Sequence, residues 1–220
     1  MGLSTIFGIN GIGKDTVAEE IRKRNPRIRV TSMSRIYMYI LGISKTCDVK
    51  EEISEEQYKK LERIPQETMK RVENGKYKEI LKRMANSEEN VIFLGHLVSA
   101  LRLGSEIEYL IERKTPSWFV DINDNLIQLI APESIVSERR KGDKGRKRIS
   151  DIEEILKHQE LCTNEWNRIM KENKGCTEKM HIIENIDLKE TVDRLESIIY
   201  KRNKLKNINI DVFKEYENGR

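Results

Sequence analysis

The stretch Gly8-Ile9-Asn10-Gly11-Ile12-Gly13-Lys14-Asp15-Thr16 constrains this chain more than any other. An apolar, β-prone run precedes it, with Ile6 and Phe7 leading back to Leu3. An amphipathic helix pattern follows: Val17, Ala18 and Ile21 are apolar, while Glu19, Glu20, Arg22 and Lys23 face the other way. Strand, glycine loop and helix together form the context a phosphate-binding loop requires. Glycines let the backbone enter the left-handed region and turn its N–H groups toward anionic oxygens. The helix that opens after the loop adds its positive dipole end to the same field. Lys14 then serves as a movable point charge for the outer phosphates of a nucleoside triphosphate. The strict pattern has Ser or Thr directly after the lysine; here Asp15 stands there and Thr16 comes one later.

The remaining composition narrows the class. A chain of 220 residues is one domain, or one domain with a small subdomain. Charged residues make up 35% and hydrophobic residues 37%, enough to build a core under a heavily ionised surface. A net charge of +4 suits an anionic small ligand as well as nucleic acid and decides neither; nucleic acid is a partner we do not favour. Cys47, Cys162 and Cys176 are odd in number and widely spaced, without the pairing of a disulfide framework or a zinc site. The chain opens directly on its core pattern, and no apolar run approaches about 18 residues. The expectation is a cytoplasmic protein, with no membrane segment and with the oligomeric state left open.

In chain order, residues 3–9 read as a strand and 14–24 as a helix ended by Asn25-Pro26. Ile28 to Ser32 form a short second strand, and Arg35 to Leu41 a helix closing at Gly42. Residues 50–86 are mostly helical, with a capping box at Ser54 and Gln57 and breaks at Pro65 and Asn74-Gly75. Val91 to Leu94 is a buried parallel strand, which puts His96 just past its carboxyl end, where ligands gather in open α/β sheets. Residues 97–103 and 105–112 read as helices, Trp118 to Val120 as an extra strand, and Leu126 to Ile130 as a core strand. A helix begins at Glu133, another at Ser150 runs to about residue 172, Met180 to Ile183 is the last strand, and Asp187 caps a final helix. Residues 204–220 form a polar extension. His158 and His181 read as structural, and Trp118 and Trp166 as core.

Between the helices after Glu133 and Ser150 lies Glu138-Arg139-Arg140-Lys141-Gly142-Asp143-Lys144-Gly145-Arg146-Lys147-Arg148, in which seven of eleven residues are basic. Phosphoryl transfer spreads negative charge over several oxygens, so arginines that close over the nucleotide serve it directly. Their planar fork binds two oxygens at once, and flanking glycines permit a hinge. We expect a short lid over residues 138–149, with Arg139, Arg146 and Arg148 acting on the transferring group beside Lys14.

The loop's GxxGxGKxT form resembles the nucleoside-monophosphate kinases, and the Gly-Lys-Asp-Thr version is similar to some deoxynucleotide kinases. The order of loop, helical insert, strand ending in x-x-His, arginine lid and long helix resembles the archaeal-type and nuclear-type adenylate kinases over roughly residues 3–200. That resemblance implies a P-loop α/β fold over residues 1–203: a parallel sheet of about five strands flanked by helices. It also implies a helical acceptor-binding insert at 33–86. ATP and Mg²⁺ would be the cofactors and nucleotides the partners. Gly8, Asn10, Gly11, Ile12, Gly13, Lys14, Asp15 and Thr16 would bind ATP, with Asp15 and Thr16 near the metal. Arg146 and Arg148 match the family's Arg-x-Arg pair before the long helix. Arg35 falls near the family's acceptor-phosphate arginine, and Ser32, His96 and Arg102 complete the expected acceptor side. Two departures stand out. Leu94-Gly95-His96 keeps the family's His but lacks the Asp two residues before it, and Thr31-Ser32 replaces a Gly-Asp pair. The alternatives are a kinase of another small metabolite or an RNA end, and a regulatory or assembly ATPase.

Overall fold

The computed structural model describes residues 2–49, 53–64, 73–103, 106–111, 115–143 and 150–200. Five strands build the main sheet: β1 (Leu3–Phe7), β2 (Arg29–Ser32), β3 (Val91–Gly95), β6 (Asn123–Ile130) and β7 (Met180–Glu184). Their order is β2-β3-β1-β6-β7, and every pairing is parallel. β1 and β3 are buried along their whole lengths, as expected of parallel strands covered on both faces. The registers Phe7↔Gly95, Phe7↔Gln128, Ser32↔Leu94 and Ile130↔Glu184 bring all five carboxyl ends to one edge of the sheet.

Helix α1 (Lys14–Arg24) buries Val17, Ala18 and Ile21, the stripe its sequence period dictates. A helix over residues 188–200, α8, lies beside it. Arg24 Nη1 bonds Asp193 at 2.5 Å and Glu196 at 3.1 Å, and Asn25 donates to the Tyr200 hydroxyl at 2.8 Å. Helix α2 (Met33–Ile40) is capped by Ser32, whose Oγ accepts from Arg35 N. Helix α3 (Glu55–Glu62) carries the expected capping box, with Ser54 and Gln57 bonded reciprocally. Residues 73–77 form a π-helical turn that runs into α4 (Lys78–Ala85). Residues 65–72, which complete the expected insert, lie outside the described residues, as does the extension 204–220.

Three expectations are corrected. Among the described residues of 97–112 there is no helix; Val98–Leu103 (β4) and Glu106–Ile111 (β5) pair as an antiparallel two-stranded sheet. The reason is legible in retrospect: Ile107, Tyr109 and Ile111 alternate with Glu106 and Glu108 at a strand's period of two. Trp118 to Val120 lie in helix α5 (Ser117–Ile122), started by the Pro116 carbonyl, which accepts from Phe119 N at 2.9 Å. β6 consequently starts at Asn123 rather than Leu126. Finally, α7 (Ile152–Glu172) is capped by Asp151, which accepts from Glu154 N at 3.1 Å. The Ser150 carbonyl is instead tied to Ser137 Oγ of α6 (Glu133–Gly142).

Candidate phosphate site

The loop leaves β1 at Gly8 and enters α1 at Lys14. Gly11 has φ 82° and Gly13 φ 98°, both in the left-handed region where a side chain is strained. Gly13 is also the N-cap of α1, so no side chain accepts from that helix's first N–H groups. Those donors remain directed at whatever the loop encloses. Lys14 is buried, and its Nζ donates to the carbonyls of Gly8 at 2.6 Å and Ile9 at 3.1 Å. The ammonium therefore lies over the loop that its own helix follows.

Three side chains hold the loop from outside. Arg140 Nε donates to the Asn10 carbonyl at 2.9 Å. Asn185 Nδ2 donates to the Ile12 carbonyl at 2.6 Å, and Arg139 Nη1 reaches the same oxygen at 2.9 Å. A trans peptide is planar, so drawing a carbonyl outward turns the next residue's N–H inward. Arg140 thus fixes the N–H of Gly11, and Asn185 with Arg139 fixes that of Gly13. The glycines are what let these side chains so close. A Cβ on Gly11 would stand 2.7 Å from Arg140 Cγ, and one on Gly13 2.7 Å from Asn185 Nδ2. Arg140 and Asn185 are absent from the sequence-based candidates. The Arg139-Arg140 doublet was the available signal for the first, and a polar residue just past the last strand for the second.

Arg139 also donates through Nη2 to the Ile186 carbonyl at 3.3 Å, so one side chain bridges the loop to the segment after β7. Burial lowers its pKa from the ordinary guanidinium value. Asp15 and Thr16 are exposed on the first turn of α1. One carboxylate and one hydroxyl beside a phosphate cradle fit the way Mg²⁺ binds, through few protein oxygens with phosphates and water completing the shell. Among the described residues no group of three or more His, Cys, Asp or Glu side chains forms a metal cluster.

At the same end of the sheet as the loop, the residues expected on the acceptor side can be placed. Ser32 ends β2 and caps α2, and His96 follows directly on β3. Arg35 lies on the first turn of α2 and donates through Nη2 to the Val49 carbonyl at 3.5 Å. Both Ser32 and His96 are half-buried at the edge that carries the loop. Arg102 lies in β4, paired with Ile107, on a strand rather than the expected helix. Arg146 and Arg148 lie outside the described residues.

The base of the two-stranded sheet is fixed by α7. His158 donates from Nε2 to the Val98 carbonyl at 2.8 Å, and Cys162, one turn on, meets the Val98 backbone as well. Burial lowers the His158 pKa; the bond to Val98 opposes this, and the charges of Arg140 and Lys14 add to it. Burial pushes the Cys162 thiol up to about 11. Trp166 of α7 packs edge-on to Phe7, the last residue of β1, with ring centres 6.3 Å apart. All three cysteines are free, and among the described residues no helix is long and apolar enough to cross a membrane.

With that geometry in place, comparison with solved structures identifies the architecture. A gluconokinase from Sinorhizobium meliloti aligns over 94% of this chain and 97% of its own, with a TM-score of 0.50 and 12% identity. The likeness shows an α/β P-loop fold. Weaker alignments are found to TT1252 from Thermus thermophilus, with a TM-score of 0.46 and 18% identity, covering 90% of this chain and 96% of that one. The third is a shikimate kinase from Acinetobacter baumannii in complex with shikimate, at 0.46 and 13%, covering 92% and 94%. No protein-family model and no curated protein matches the sequence.

Proposed function

We propose that this chain is an ATP-dependent phosphotransferase whose acceptor is a nucleoside or deoxynucleoside monophosphate. The observation that carries the reading is the loop itself: two left-handed glycines, two peptide planes held from outside, and Lys14 over the opening. Loop N–H groups and Lys14 would bind the donor phosphates, and Arg139 would close the loop from the side of α6. Mg²⁺, when bound near Asp15 and Thr16, supplies charge neutralisation between the outer phosphates. Arg146 and Arg148 would act on the transferring group, and Ser32, Arg35, His96 and Arg102 would form the acceptor side. Such a reaction needs no covalent enzyme intermediate, because positioning and electrostatic stabilisation supply the rate.

A second acceptor class is supported by one departure. Thr31-Ser32 stands where the resembling family has Gly-Asp, and Ser32 is engaged as the cap of α2. An altered acceptor pocket fits another small metabolite; the structural neighbours include a gluconokinase and a shikimate kinase. Coupled ADP release with Mg-ATP, over a panel of nucleoside monophosphates, gluconate and shikimate, decides between the two. Turnover with a monophosphate, lost in Lys14→Ala, supports the first; turnover only with a hydroxy acid moves the assignment to the second. An acceptor-independent rate across the whole panel would leave a slow ATPase and overturn both.

A further inference from the structure

The sheet has a second cationic cleft at its opposite end. β2 is an edge strand, and Arg29 is its first residue, in register with Val91, which pairs with Leu3. Four residue steps separate Leu3 from Phe7, so this end lies roughly 13 Å along the strands from the start of the phosphate loop. Here Arg29, Lys45 and Arg83 line one cleft of about 340 Å³, brought together from β2, the segment after α2, and α4. Among the described residues no acidic side chain lines it. That is a departure for a chain with 37 acidic residues against 41 basic ones, in which charged helix faces elsewhere are laced with ion pairs.

The cations are poorly neutralised. Lys45 and Arg83 make no hydrogen bond or ion pair among the described residues. Arg29 Nε is buried and forms no hydrogen bond, with Asp48 Oδ2 no closer than 3.8 Å. The Arg29 guanidinium does reach one soft acceptor, Cys47 Sγ, at 3.4 Å. Lys45 and Arg83, with Arg29 held 3.8 Å from Asp48, leave the cleft net positive, which favours an incoming anion. The remaining wall is mixed: Ile80 and Met84 from α4 are apolar, Thr46, Cys47 and Ser87 are small and polar or soft, and the Tyr39 ring is 45% exposed. A cleft of this size is at the lower end of the range for small-molecule sites, about 300–1,000 Å³. Cations and an exposed aromatic ring lining one cleft match a ligand that has both a phosphate and a flat ring.

We propose that this cleft is a second, non-catalytic site for a nucleoside monophosphate, with its phosphate on Arg29, Lys45 and Arg83 and its base against Tyr39. Tyr39, Lys45 and Arg83 fall within residues 33–86, the expected acceptor-binding insert, but none of the cleft's residues belongs to the loop or is one of the expected acceptor residues Ser32, Arg35, His96 and Arg102; binding that survives changes at Lys14 and Arg35 is what separates the two sites. Its walls include the end of α2, whose first turn carries Arg35, so occupancy would be felt at the acceptor side.

Calorimetric titration of the full chain with adenosine 5′-monophosphate, inorganic phosphate and adenosine tests the proposal. Binding of the monophosphate that survives both Lys14→Ala and Arg35→Ala, and weakens at least tenfold in Lys45→Glu/Arg83→Glu, supports it. Tyr39→Ala should weaken the monophosphate several-fold and leave phosphate unchanged. Lys45, Arg83 and Tyr39 are exposed, so their variants fold as the parent does, which thermal melting verifies. The proposal is overturned if binding is lost in Lys14→Ala or Arg35→Ala with the melting curve intact, or if the charge-reversed variant binds as the parent does. It is equally overturned if the cleft residues alter only the binding of a single-stranded RNA.

Discussion

Arg140 Cγ occupies the space in which a side chain on Gly11 would have to begin: a Cβ built there stands 2.7 Å away, and Arg140 Nε donates to the carbonyl of the preceding residue, Asn10, at 2.9 Å. The two residues are 129 positions apart, yet each defines what the other can be. Gly11→Ala would strain the left-handed backbone and push Arg140 off the Asn10 carbonyl, freeing the peptide plane that aims the Gly11 N–H. ATP affinity should fall by tenfold or more in Gly11→Ala. Arg140→Ala should cost about as much, and the double variant little beyond either single, because both remove one interaction. Additive losses in a binding cycle would show that Arg140 acts on something other than the loop.

Asn185 and Arg139 converge on one oxygen, the Ile12 carbonyl, at 2.6 and 2.9 Å. Either donor alone keeps that carbonyl satisfied, so each single alanine variant should lower stability by only about 1 kcal/mol. Removing both leaves a carbonyl without its outside partners and the Gly13 N–H without its aim. Chemical denaturation of the two singles and the double should show a more than additive loss, with the nucleotide-induced rise in melting temperature abolished only in the double. A purely additive set would mean the two side chains stabilise different things.

Much of this arrangement was readable from residue order alone. Gly8 to Thr16, with apolar residues before and an amphipathic period after, can only be a strand, a glycine loop and a helix, and α1 begins and ends where that pattern does. The Ser54 capping box was legible because it is local: donor and acceptor lie three residues apart. The strand pair 98–103 and 106–111 was hidden because Leu101, Leu103 and Leu110 carry a helical-looking apolar density, and alternation is a weaker signal in a short segment. The grip of Arg140 and Asn185 on the loop was not legible at all. It depends on tertiary proximity across 130 and 173 positions, and nothing near residue 140 or 185 announces which carbonyl it will meet.

His158 should make stability depend on pH. Its pKa is lowered in the folded chain by burial first, opposed by its bond to Val98, and then lowered further by the charges of Arg140 and Lys14. A base with a depressed folded pKa binds fewer protons folded than unfolded, so its contribution is complete above the unfolded value of about 6.5 and is lost as pH falls toward the folded one. The melting temperature should therefore drop between pH 7 and pH 5.5. In His158→Gln, which can still donate to the Val98 carbonyl, that slope should flatten. An unchanged slope in the variant would assign the acid sensitivity to other groups.

Lys179 separates stability from catalysis. It is a buried lysine at the start of β7, the end of the sheet away from the loop, and its Nζ donates to the carbonyls of Val120 at 2.6 Å and Asn123 at 3.0 Å. These oxygens sit where α5 ends and β6 begins. Lys179→Met keeps the length and apolar stem but strands both acceptors, each costing about 1–3 kcal/mol when buried without a partner. Denaturant melts should show a loss in that range or up to twice it, while the kcat of the surviving folded fraction stays within twofold of the parent. Lys179→Arg, which keeps a donor there, should recover part of the loss. A drop in kcat matching that of Lys14→Ala would instead tie this end of the sheet to the chemistry.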